Sequence, residues 1–167
     1  MHSTVCRKIL VSAAGVLLLA GWFAFTSQPV SAAIDTYLVL IQTRQGQIKG
    51  DSTFPGHEGW IEAERATLGN LDLTEENHEA LRKVTSGAGP DKVRFNSLTI
   101  TKTVDSASPK LYEAARHGGG AQTIVIECAS GKHITHTVTI TDCTLSVKPA
   151  GPGKETITIV GGRVAYN

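Results

Sequence analysis

The stretch His133–Val147, HITHTVTITDCTLSV, decides the fold class, because apolar residues alternate with threonine and other polar residues along most of its length. This period of two is typical of a β-strand that has one covered face. The apolar parity changes between Ile140 and Cys143. Such a change inside one strand predicts a bulge or bend near Thr141–Asp142.

Other segments show the same alternation or a short continuous apolar run. They are Asp35–Gln42, Gly59–Leu68, Lys92–Val104, Thr123–Cys128 and Lys154–Tyr166. Gly161-Gly162 separates two parities in the last segment and predicts a second bend. Lys102 interrupts the apolar parity of its strand, and we expect it where that face reaches solvent. About seven strands with short turns favour a small closed β-barrel or a sandwich.

Ser108–Gly118 is the clearest helical segment. Ser108 is a suitable N-cap, Pro109 suits the first helical position, and Gly118 suits the left-handed cap. The sequence therefore predicts one flanking α-helix. The long segment Asn70–Pro90 reads as a loop with a single weak helical turn that begins near Thr74.

The first 33 residues predict a cleaved signal peptide. Arg7 and Lys8 precede the apolar run Ile9–Phe25, and Val30-Ser-Ala-Ala33 offers small residues for cleavage after Ala32 or Ala33. The domain boundaries are then 1–33 for the signal peptide and 34–167 for the β domain, and the location is secreted or periplasmic. An uncleaved N-terminal anchor is the alternative, since the run is at the short edge of a membrane span.

Charge excludes two classes of partner. The chain has 16 Lys+Arg and 15 Asp+Glu, and the signal segment holds two of the basic residues and none of the acidic ones. No cluster of basic residues remains to bind phosphates. We therefore expect no nucleic-acid partner, and no membrane partner after signal cleavage.

Residue types that support catalysis are present without a recognisable motif. Asp51-Ser52 and His57 lie in one Gly/Pro-rich loop, where such residues are ordinarily turn formers. Glu62 and Glu64 share a predicted strand face, and Gly151-Pro-Gly-Lys154 fits a hairpin turn better than a phosphate loop. We predict no catalytic residue and no cofactor, so the protein is not expected to be an enzyme.

Histidines and cysteines predict neither a metal site nor a disulfide. His133 and His136 are three apart in a strand and therefore point to opposite faces, while His78 and His117 are isolated in the sequence. A two-residue turn at Ser130-Gly131 would place Cys128 opposite His133 and far from Cys143. We expect two buried thiols, with a disulfide as the alternative if the strand curves strongly.

Three motifs resemble one known family. They are Lys49-Gly-Asp-Ser-Thr53, Gly56-His-Glu-Gly-Trp-Ile-Glu62, and Phe95-Asn-Ser-Leu-Thr-Ile-Thr-Lys-Thr-Val-Asp105 running into Ala107-Ser-Pro-Lys-Leu-Tyr-Glu-Ala114. In this order they are similar to the Hcp (haemolysin-coregulated protein) family, the tube protein of bacterial type VI secretion. The resemblance covers nearly all of residues 34–167, and Gly69–Pro90 matches least.

The resemblance implies a small β-barrel with one helix, assembled into six-membered rings that stack into a secreted tube and can hold effector proteins. It implies that Asn70–Pro90 contacts the next ring. Family proteins assemble in the cytoplasm, so a signal peptide is a departure; either the chain is an exported relative or its start lies downstream. The alternative functions are an exported monomeric binding module with this fold and a secreted hydrolase.

Overall fold

The computed structural model describes residues 34–85 and 97–167. These residues form ten strands, two α-helices and a short 3-10 helix, which confirms the mainly β class with more strands than expected. The elements are β1 (Thr36–Thr43), β2 (Gly46–Ile48), β3 (Ile61–Ala63), β4 (Arg65–Leu68), β5 (Leu71–Asp72), the 3-10 helix (Glu75–Asn77), α1 (His78–Thr85), β6 (Leu98–Thr103), α2 (Ser108–Arg116), β7 (Gly120–Ser130), β8 (His133–Pro149), β9 (Lys154–Val160) and β10 (Arg163–Tyr166).

The strands form one antiparallel sheet in the order β2-β1-β7-β8-β9-β6-β4-β5, with β3 paired to β1 and β10 paired to β8. The long hairpin of β7 and β8 lies at its centre, because these are the longest alternating segments. Within the described ranges, no helix has the length and hydropathy needed to cross a membrane. The predicted signal peptide lies outside the described residues.

The sequence predicted a closed barrel, but among the described residues no unbroken ladder of strand pairs closes the sheet. The predicted strand Gly59–Leu68 bends at Glu64 and divides into β3, which pairs with β1, and β4, which pairs with β6. The chain thus passes from β1 to β6, and the bend at Glu64 interrupts the ladder between them.

Apolar side chains from the inner faces of the strands form the core. Val39 of β1, Ile126 of β7, Ile140 of β8 and Ile157 of β9 are all fully buried and belong to one cluster. Full burial of such a side chain contributes about 1.5–3 kcal/mol. In the Thr-rich strands, the apolar residues of the alternating pattern are therefore the ones that face the core.

Both predicted bends are present. Asp142 has a positive φ of 57°, and burial changes parity between Ile140 and Cys143. At this point the neighbour of β8 changes from β10 to β9, because β10 pairs up to Thr141 and β9 begins at Thr144. The last predicted strand is in fact two, separated at Gly161-Gly162, and they lie one after the other along β8.

The two helices differ from their predictions in detail. Helix α2 begins at Ser108 as expected, but the N-cap position is Ala107, and the Ser108 hydroxyl accepts from the N–H of Asp105, which precedes the helix, at 3.0 Å. Leu111 is buried as predicted, whereas Tyr112 and Ala115 are half-buried. In the segment predicted as a loop, the weak helical turn is a 3-10 turn continued by the eight-residue helix α1. Residues 86–90 of that segment lie outside the described residues.

Gly119 fixes the passage from α2 to the sheet. Its N–H donates to the Ala114 carbonyl, and its carbonyl accepts from the N–H of Leu145 at 2.7 Å. Its φ is +65°, and a Cβ there would lie 2.0 Å from the Leu145 carbonyl oxygen. Only glycine allows this close approach of backbone to backbone.

Gly119→Ala is therefore expected to lower the free energy of unfolding more than Gly131→Ala, measured by urea denaturation. Gly131 is the matched control, because its φ is +60° but a Cβ would meet nothing within 4 Å. The left-handed conformation alone costs about 1–2 kcal/mol, and overpacking at Gly119 adds about 1–3 kcal/mol. Equal losses for the two variants would contradict this role.

Candidate functional site

The three sequence motifs meet at one corner of the domain, which we call the motif corner (Asp51, Ser52, Glu62, Lys102, Asp105, Ser106, Ser108 and Glu155). The Ser52 hydroxyl donates to Glu62 at 2.8 Å. The Asp51 carboxylate accepts from the N–H and the hydroxyl of Ser106, and these bonds lower the pKa of Asp51. The loop before β3 is thus tied to the connection between β6 and α2.

A buried ammonium group is at the centre of this corner. Lys102 and Glu155 are fully buried, and Lys102 Nζ lies 2.9 Å from Glu155 Oε1 and 2.7 Å from Asp105 Oδ1. The Ser108 hydroxyl donates to Glu155 at 2.7 Å. The expectation that Lys102 reaches solvent is wrong, because the two carboxylates compensate its charge inside the protein.

The loop residues considered for hydrolysis have structural partners. His57 Nε2 pairs with Glu127, its Nδ1 faces the Pro55 carbonyl, and the ring packs edge-on against Trp60 at a centroid distance of 4.7 Å. Ser52 is bonded to Glu62 rather than to a histidine. The arrangement therefore brings no histidine base to the Ser52 hydroxyl, whose hydrogen-bond partner is the Glu62 carboxylate.

Glu62 and Glu64, expected to share a face, have separate roles. Glu64 sits at the bend between β3 and β4, where it accepts from the Thr103 hydroxyl and pairs with Lys154. These bonds lower the pKa of Glu64. A cavity of about 390 Å³ lies between Glu62, Glu64 and Asp105. Its acidic groups bond to neighbouring side chains and backbone.

A second polar group, which we call the histidine cluster, consists of Glu75, His78, His136 and Tyr166. One ligand atom from each of Glu75, His78 and His136 lies within 4.8 Å of the other two. The Tyr166 hydroxyl lies 2.9 Å from His78 Nδ1. The cluster joins the 3-10 helix and the start of α1 to β8 and β10.

Burial distinguishes the two histidines of β8 as the sequence predicted. His133 is exposed, whereas the side chain of His136 is fully buried. Burial lowers the pKa of His136, and Glu75 and the Leu73 carbonyl partly oppose this effect. Burial likewise raises the pKa of Tyr166 to about 12. Burial thus favours the neutral form of His136.

Sequence reasoning treated His78 as isolated and missed the histidine cluster. Two signals could have found it. His136 has the same parity as the core residues Val138 and Ile140, which indicates burial. Glu75 and His78 are three residues apart, so a helix that begins near Thr74 would place them on one face. His117, at the end of α2, bonds to the Glu113 carbonyl at 2.8 Å, which agrees with its expected place at the helix terminus.

Cys128 and Cys143 are free and buried, which confirms the prediction of two thiols. The register used to reach it is corrected: the turn is Gly131-Lys132, and a bulge places Cys128 opposite His136. Cys143 lies opposite Ala121, so about 20 Å of strand separates the thiols. Burial raises the pKa of Cys128 to about 12 and that of Cys143 to about 11.

The outer surface offers apolar positions for contact with other molecules. Val104 is 52% exposed and Val160 is 45% exposed. Because Thr103 pairs with Lys154 and Leu98 with Ile159, the two valines lie at opposite ends of the β6–β9 ladder. The sheet ends in the short strands β2 and β5, and such short edges are poor templates for a further strand.

Comparison with known proteins gives a consistent result. The family model described as "Type VI secretion system effector, Hcp" matches residues 38–159. The fold is similar to a mutant Hcp1 from the E. coli EAEC 042 pathovar, with 15% identity, TM-score 0.53, and 78% of this chain and 96% of that chain covered. It is similar to secreted Hcp3 from Pseudomonas aeruginosa, with 17% identity, TM-score 0.52, and 79% and 95% covered.

Hcp1 from Salmonella typhimurium has 18% identity and a TM-score of 0.52, with 78% of this chain and 92% of that chain covered. These low identities show a shared fold. None of the curated proteins matches the chain. The family match covers most of the described domain, including β6 to β8 and all of β9 but its last residue, and on this match the chain belongs to the Hcp family of type VI secretion.

Proposed function

We propose that the β domain, residues 34–167, is a non-enzymatic structural subunit that assembles with copies of itself into a six-membered ring and can hold secreted effector proteins. The observation that supports this most is the match of the Hcp family model over residues 38–159. The Hcp family is a structural one, and its members are secreted through type VI machinery. The hydrogen bonds of Asp51, Ser52 and Asp105 to other residues of the motif corner agree with a structural role.

The position of the exposed apolar residues supports a head-to-tail contact. A ring requires two different patches on each subunit, so that one patch meets the other on the neighbour. Val104 and Val160 lie at opposite ends of one ladder. They can therefore belong to two separate patches. An isologous dimer would instead need a single patch that contacts itself.

The segment Asn70–Pro90 is the proposed contact between rings, on the basis of the family resemblance. Its described part ends in α1, whose outer positions Glu79, Arg82 and Lys83 are exposed. Both signs of charge on one short helix favour a polar, salt-sensitive contact. Stacking would then weaken as ionic strength rises.

We further propose that residues 1–33 direct export and are removed after Ala32 or Ala33. N-terminal sequencing of the protein recovered from the native host is expected to begin at Ala33 or Ile34. A chain that retains residues 1–33 would instead support the anchor. A chain that starts near Val30 would support a downstream start and a cytoplasmic subunit.

The proposed ring is tested by the mass of residues 34–167 in solution, measured by light scattering after size-exclusion chromatography. We expect a species near six times the protomer mass. A protein that stays monomeric at high concentration contradicts the ring and supports the exported monomeric module.

Two substitutions at Val160 test whether this residue lies in the contact between subunits. Val160→Asp is expected to shift the mass toward the monomer, because it places a charge in an apolar contact. Val160→Thr is the matched control, since threonine keeps the β-branched shape without a charge, and it should retain the ring. If the Asp variant still forms the ring, Val160 does not lie in the interface.

A further inference from the structure

We propose that Glu75, His78 and His136 bind one divalent transition-metal ion of the zinc class, which clamps the 3-10 helix and α1 onto the sheet. This opposes the sequence prediction of no metal site, and it is independent of ring assembly. Two imidazoles and one carboxylate form a ligand set that zinc accepts in proteins, with a fourth position left for water.

The distances are compatible with such a site. Ligand atoms of the three residues lie within 4.8 Å of one another. The proposed ligand atom of His136 is Nε2, because Thr135 contacts the other ring nitrogen, Nδ1, which also lies 3.9 Å from Glu75 Oε2. In a tetrahedral site with bonds near 2.0–2.1 Å, ligand atoms lie about 3.4 Å apart. The side chain of Glu75 is 45% exposed, so it can move the remaining distance without disturbing the core.

An independent observation comes from His136. Its Nε2 atom is buried and has no hydrogen-bond partner within the described part of the chain. An unpaired buried polar atom is costly, and folded proteins rarely retain one without a reason.

The neighbours of the two histidines form a supporting shell. Tyr166 bonds to His78 Nδ1 at 2.9 Å, and Thr135 Oγ1 lies 3.0 Å from His136 Nδ1. Such partners orient imidazole rings around metal ions. Since Tyr166 belongs to β10, the metal would link the C-terminal strand to α1 as well as to β8.

The test is a titration of the tag-free full chain with Zn²⁺, followed by calorimetry, and with Co²⁺, followed by visible absorption. We expect one Zn²⁺ per chain and the intense Co²⁺ absorption of four-coordinate sites. Tyr166→Phe should weaken binding about 10- to 100-fold, and Glu75→Gln and His78→Gln should weaken it more. Glu75 is exposed, so its variant keeps the fold even if His136 variants do not.

His133→Gln is the matched control, because His133 lies on the same strand but is exposed, and its affinity for Zn²⁺ should equal that of the unmodified chain. The proposal is overturned if the folded chain binds no Zn²⁺. It is also overturned if Glu75→Gln and His78→Gln retain full affinity, or if His133→Gln loses as much as they do.

Discussion

The interaction on which the rest of the fold depends is the buried contact of Lys102 with Glu155. An ammonium group in a core costs several kcal/mol unless anions compensate it, and here Glu155 and Asp105 both lie within 3 Å of Nζ. This requirement fixes β6 beside β9 and holds the connection to α2 in place through Asp105 and Ser108. The third sequence motif is thus explained in part by this charge, since its residues Asp105 and Ser108 both contact Lys102 Nζ.

The other polar side chains of this corner bond to one another. Ser52 donates to Glu62, and Asp51 accepts from Ser106. Away from the corner, Val104 and Val160 are exposed at opposite ends of the β6–β9 ladder. These two positions support the proposed contact between subunits.

Sequence reasoning predicted the longer strands, both bends and α2, because alternation with a period of two and capping chemistry are local signals. It missed the short strands β2 and β5. It also missed the burial of Lys102, since the compensating Glu155 is far away in sequence. The break at Glu64 was not predicted, because it depends on pairing with two different neighbours, β1 and β6. The histidine cluster joins residues from separate elements, and only the fold brings His78 to His136. The sequence alone thus could not predict which polar groups from distant parts of the chain would pair.

The most direct measurement is a double-mutant cycle on Lys102→Met and Glu155→Leu, with free energies of unfolding from urea denaturation. Lys102→Met leaves the buried Glu155 carboxylate without its cation and should lose about 3–5 kcal/mol, whereas Glu155→Leu leaves Lys102 paired with Asp105 alone and should lose less. The double variant removes both charges and should lose much less than the sum, a coupling of about 2 kcal/mol or more. Losses that simply add would contradict the account, because the two residues would then stabilise the fold independently.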